Sequence, residues 1–72
     1  MAKNEHIKKS FGANLKRIRK EKGMTQVEVA FEADLEPSYM TRLENGKADP
    51  SLTTILALAE ALDVDPCELI TF

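Results

Sequence analysis

Seventy-two residues with 43% apolar content describe one small folded domain with a modest core, and exclude a disordered chain. A single cysteine, Cys67, excludes an internal disulfide, and one histidine beside it leaves too few soft ligands for a metal site. The longest apolar run, Ile55 to Ala59, is far too short to cross a bilayer; with no secretory leader pattern, the expected location is a reducing cytoplasm.

Charge is unevenly spread. Residues 1–22 carry eight Lys and Arg against Glu5 and Glu21, a net +6, whereas residues 23–72 carry two against ten acids, a net −8. The overall −2 speaks against nucleic acid, but this polarity can give one face that attracts phosphate and another that repels it. A solvated mixed-charge surface has the same composition.

In chain order, Phe11, Leu15 and Ile18 form one helical stripe, and Gly23 offers the left-handed position that ends a helix, so a first helix is predicted from about Ile7 to Lys22. Residues 1–6 are expected as a flexible arm; Lys3, Lys8 and Lys9 would follow phosphates or sit on a frayed end. His6 has no visible partner and is expected to be exposed.

Thr25 to Glu28 reads T-x-x-E, a capping box, and opens a second helix over about Gln26 to Ala33 with Val29 and Ala30 inward and Phe31 in peripheral packing. Asp34 and Leu35 make a short turn. Pro37 suits the first turn of a third helix that turns Met40 and Leu43 inward and stops at Asn45-Gly46. A fourth helix opens near Ser51 with Leu52, Ile55, Leu56, Ala59 and Leu62 on one face. Asp65-Pro66-Cys67-Glu68 starts a short fifth helix to about Ile70. Cys67 lies in its first turn, with a passive role favoured over a redox one.

Five short helices on tight loops predict an all-α domain with no room for a deep catalytic cleft. No nucleophile–base pair, phosphate-cradling loop or metal cluster is visible, so no enzyme and no cofactor are expected. Two helices of about eight residues joined by a short turn are the geometry of a helix-turn-helix, in which the second helix enters the major groove.

The stretch TQVEVAFEADLEPSYMTRLENGK resembles the phage-repressor and Cro-type helix-turn-helix family, with a lambda-repressor-like fold. Supporting residues are Arg19, Gly23, Thr25, Gln26, Ala30, Leu35, Ser38, Tyr39, Glu44, the Asn45-Gly46-Lys47 turn, Pro50-Ser51-Leu52, Ala59 and Leu62, and the match spans roughly residues 8–70. It extends to controller proteins of restriction–modification systems. There are departures: Asp34 and Asp63 stand where the family usually has glycine, and Glu36 stands where it caps the third helix with serine or threonine.

The resemblance implies double-stranded DNA and a second copy of the chain as partners, with RNA polymerase a further one. It implies that Glu36, Pro37, Ser38, Thr41 and Arg42 look into the groove, with Arg42 suited to the O6/N7 pair of guanine and Glu36 to cytosine N4. Phosphate contacts are implied for Gln26, Tyr39, Asn45 and Lys47; a solvated Lys47 and a purely packed Tyr39 are the alternatives. It implies that Arg19 and Glu44 form a structural ion pair. The apolar end, Leu69, Ile70 and Phe72, is expected to supply a two-fold interface, with part of it capping the core. An adaptor or antitoxin-like module that holds a protein on the same fold is the rival reading, supported by the acidic balance after residue 22.

Overall fold

The computed structural model describes residues 2–72, with side chains from Asn4 onward. Its elements are α1 (Ala2–Glu21), α2 (Gln26–Glu32), α3 (Pro37–Glu44), α4 (Leu52–Leu62) and α5 (Pro66–Ile70). The described residues include no strand, and none of their helices is long and apolar enough to cross a membrane. Helix α1 packs on α3 and α5, α2 packs on α3 and α4, and α4 packs on α5. The core at their junction is built from Phe11, Leu15 and Ile18 of α1, Val29 and Ala30 of α2, Met40 and Leu43 of α3, Leu58, Ala59 and Leu62 of α4, and Leu69 of α5.

The helix starts follow local chemistry. Thr25 Oγ1 accepts from Glu28 N–H at 3.1 Å while the Glu28 carboxylate accepts from Thr25 N–H at 2.8 Å, so two otherwise unpaired donors of α2 are satisfied. Ser51 Oγ accepts from Thr54 N–H at the start of α4. Helix α3 starts on Pro37 with no side-chain cap from Glu36. Both aspartates that replace glycine are left-handed, Asp34 at φ 58° and Asp63 at φ 57°. Each costs on the order of 1 kcal/mol relative to glycine, the carboxylated side chain being among those that tolerate this region best.

One close approach sets how α1 meets α3. A Cβ on Gly12 would lie 2.7 Å from the carbonyl oxygen of Glu44 and would also collide with that of Leu43. Only glycine lets α1 cross the end of α3 at this distance. The buried Asn14, two residues on, donates to the carbonyls of Glu68 (2.7 Å) and Leu69 (3.0 Å), tying α1 to the end of α5.

Three expectations change. Helix α1 starts at Ala2 rather than about Ile7, so the segment expected as a flexible arm is helical from Ala2. Nothing in Ala2–Ser10 breaks a helix, and Glu5 pairs with Lys8 at 3.1 Å one turn along. That pairing lowers the Glu5 carboxyl pKa below its ordinary value. The Lys3 side chain lies outside the described residues. On α4 the buried face is Leu58, Ala59 and Leu62, with Ile55 half-buried; Leu52 and Leu56 are exposed. Phe31 is 81% exposed instead of packed.

Candidate nucleic-acid interface

The second helix of the helix-turn-helix has two chemically opposite faces. Met40 and Leu43 are fully buried, and Glu44 is 7% exposed. Pro37, Ser38, Thr41 and Arg42 are exposed on the other side, with Glu36 at the N-terminus and Asn45 at the C-terminus. The five residues expected to read bases therefore share one solvent-facing surface. Tyr39 is half-buried and packs against the core. Lys47 is exposed in the turn after α3, and its carbonyl accepts a long 3.4 Å bond from Arg42 Nη2. That uses one of the five guanidinium donors and leaves the rest facing solvent.

Beneath this surface lies a polar network that joins three elements. Arg19 Nε donates to Glu44 Oε2 at 2.6 Å and Nη2 donates to Oε1 at 3.1 Å, a bidentate pair with Arg19 only 8% exposed. A third Arg19 donor reaches the Met24 carbonyl at 2.8 Å, the loop just before α2. Glu44 Oε1 also accepts from Gln26 Nε2 at 2.9 Å, and Gln26 Oε1 accepts from Thr41 Oγ1 at 3.0 Å. No buried side-chain nitrogen or oxygen among the described residues lacks a partner.

This network refines the expectation for Gln26. Its amide is anchored inward on both sides, and one Nε2 proton is left for an outside acceptor such as a phosphate. Gln26 thus links the buried pair to the exposed face of α3, a role that its position at a helix start does not reveal. Gly12 and Asn14 are two further frame residues that were not among the expected ones. A lone glycine inside a strongly periodic helix was the available signal for a close approach.

The basic first helix is divided. Arg17 is exposed but tied down, donating to Glu21 at 2.9 Å and to Asn14 Oδ1 at 2.6 Å, while Lys16, Lys20 and, just past the helix, Lys22 are exposed.

The apolar end separates in the same way. Leu69 is fully buried, which corrects its assignment to an interface: it is core, and α5 turns it toward α1 and α4. Ile70 and Phe72 are 55% and 59% exposed and line a shallow hollow with Ile7, Phe11, Pro50 and Ile55. Cys67 is exposed. No group of three His, Cys, Asp or Glu among the described residues is placed to hold a metal. A wider groove of about 520 Å³ lies on the outer side of α2 beside Val27 and Phe31.

Residues 15–69 match the helix-turn-helix family profile. The chain is 40% identical over 65 residues to y4dJ, an uncharacterised helix-turn-helix-type transcriptional regulator of Sinorhizobium fredii, covering 90% of this chain and 84% of that protein. It is 37% identical over 68 residues to the control protein C.BamHI of Bacillus amyloliquefaciens, covering 93% and 84%. Among solved structures, the restriction–modification controller protein C.AhdI from Aeromonas hydrophila superposes with a TM-score of 0.88 at 40% identity, covering 90% of this chain and 94% of that one. With a profile match over most of its length and the five-helix fold to accompany it, the chain belongs to the helix-turn-helix family.

Proposed function

We propose that the chain is a sequence-specific, double-stranded-DNA-binding transcription regulator of the cytoplasm, acting as a homodimer on a palindromic operator. The observation that carries this reading is the two-faced α3: Met40, Leu43 and Glu44 are locked into the frame while Ser38, Thr41 and Arg42 stand side by side in solvent. A rigid helix with a polar outer face is what major-groove readout requires. Gln26, Asn45 and Lys47 flank that face and supply amide and ammonium donors for phosphates, with Tyr39 adding a hydroxyl. The likeness to controller proteins favours control of a restriction–modification system as the setting. RNA polymerase is the further partner of this reading, since a regulator bound beside a promoter acts on the enzyme that initiates there.

One recognition helix reads few base pairs, so specificity calls for two copies. Half-sites about 10 base pairs apart would place both copies of α3 on one side of the duplex. The exposed Ile70 and Phe72 are the apolar surface proposed for the two-fold contact.

The test is a mobility-shift titration on paired and single half-sites, using the wild type and an Ile70→Ser/Phe72→Ser double variant. The double variant is expected to be a folded monomer by sedimentation velocity, with single-site affinity kept and operator affinity greatly reduced. A dimeric double variant moves the interface to the exposed Leu52 and Leu56 of α4. A wild type that binds no duplex, from its gene's flanks or from a randomised pool at low salt, overturns the DNA-binding reading.

A further inference from the structure

The Gln26–Thr41 contact has a direction, and that direction bears on which base edge Thr41 can read. Glu44 Oε1 already takes a donor from Arg19, and a carboxylate paired with a guanidinium accepts only. The Gln26 amide atom 2.9 Å from it must therefore be the NH2 group. This turns the amide oxygen toward Thr41, where it lies 3.0 Å from Oγ1. An amide oxygen cannot donate, so the Thr41 hydroxyl must. Its one other hydrogen-bond partner among the described residues is the Pro37 carbonyl at 3.2 Å, which is also only an acceptor. The single hydroxyl proton is thus directed into the protein by either bond. What the exposed side chain offers outward is oxygen lone pairs and a methyl group.

We infer that Thr41 reads the major groove as an acceptor only, taking a proton from an exocyclic base amine, and that Gln26, held by Glu44, is the positioning residue that sets this polarity. This rests on the DNA-binding reading above. Adenine N6 and cytosine N4 carry such amines, whereas the purine N7, guanine O6 and thymine O4 are acceptors and would face the Thr41 lone pairs unfavourably. Threonine is in general free to contact either kind of edge; here the buried ion pair removes the choice.

The experiment uses the full chain and selects binding sites from a randomised duplex pool with wild type and Thr41→Val. The position at which Thr41→Val loses preference is the base pair under residue 41. At that pair, two altered duplexes are compared: one lacking the exocyclic amine (purine for adenine, or 2-pyrimidinone for cytosine), and one with the purine N7 replaced by carbon. Deleting the amine is expected to weaken wild type about two- to tenfold, the range of one net hydrogen bond. It should leave Thr41→Val unaffected, and Thr41→Ser, which keeps the hydroxyl, should retain the penalty. The N7 replacement should change nothing. Gln26→Met, close in shape, should lower affinity for all duplexes by loss of a phosphate donor and also shrink the amine-deletion penalty. Melting temperatures check that the Thr41 and Gln26 variants stay folded.

A wild type weakened by the N7 replacement, with Thr41→Val insensitive, shows Thr41 donating and overturns the inference. So does a Thr41→Val variant with unaltered preference at every position. An unchanged amine penalty in Gln26→Met removes Gln26 as the residue that sets the polarity. Each of these leaves DNA binding itself intact; absence of binding to any duplex overturns the DNA-binding reading and this inference with it.

Discussion

Arg19 and Arg42 lie on helices that pack together, α1 and α3, and are alike by residue type, each a cation on a helix. The fold separates them completely. Arg19 is 8% exposed and spends its donors on both Glu44 oxygens and the Met24 carbonyl, joining α1, the loop before α2 and the end of α3. Arg42 is exposed and makes one long bond to the Lys47 carbonyl. An arginine buried against a carboxylate and a backbone carbonyl holds a frame in place; one that faces water with donors to spare can meet a base or a phosphate. The net charge of the chain is −2. Some of its charge is structural, and total charge says nothing about which.

The strongest way to break this comparison is Glu44→Gln. It leaves the buried Arg19 without its counter-charge and should cost about 3–5 kcal/mol of stability, the range for removing one side of a buried pair. Urea or thermal unfolding reads it directly. A Glu44→Gln protein with wild-type melting temperature and no DNA binding would move Glu44 out of the frame and into the interface.

Arg42→Ala should do the reverse. Unfolding should stay at the wild-type midpoint, while operator affinity falls by about 1–3 kcal/mol and base preference relaxes at one position of each half-site. Equal weakening on every sequence would assign Arg42 to a phosphate instead of a base edge.

The smallest effect is expected at Lys47, and it sharpens the comparison within the exposed group. Lys47→Ala should weaken all sequences alike and reduce the slope of log affinity against log salt by about one, because one phosphate contact and its counterion release are lost. Titrations at several salt concentrations measure the slope; if it stays at the wild-type value, Lys47 is a solvated side chain.

Local chemistry alone settled much of the architecture. The Thr25–Glu28 capping box, Gly23 at the end of α1, Pro37 in the first turn of α3 and Ser51 before α4 each act within about four residues, and each is where the sequence placed it. The stripe Phe11, Leu15, Ile18 and the pair Met40, Leu43 are buried as their spacing predicts, because each helix there has one apolar face and no rival. The helix-turn-helix, and the set of residues on its outer face, follow from those signals.

What remained for the tertiary structure were choices between equivalent local answers. Helix α4 is apolar over a wide arc, so periodicity could not select Leu58 over Leu52 or Leu56; its neighbours α2 and α5 made that choice. Helix α5 is five residues long, too short to display a stripe, and only its docking beside Asn14 turned Leu69 inward and left Ile70 outside. The direction of the Gln26 amide depends on Arg19 and Glu44, 25 residues apart in sequence. A hydrogen bond across that separation has no local signature, since its geometry exists only once three helices have packed.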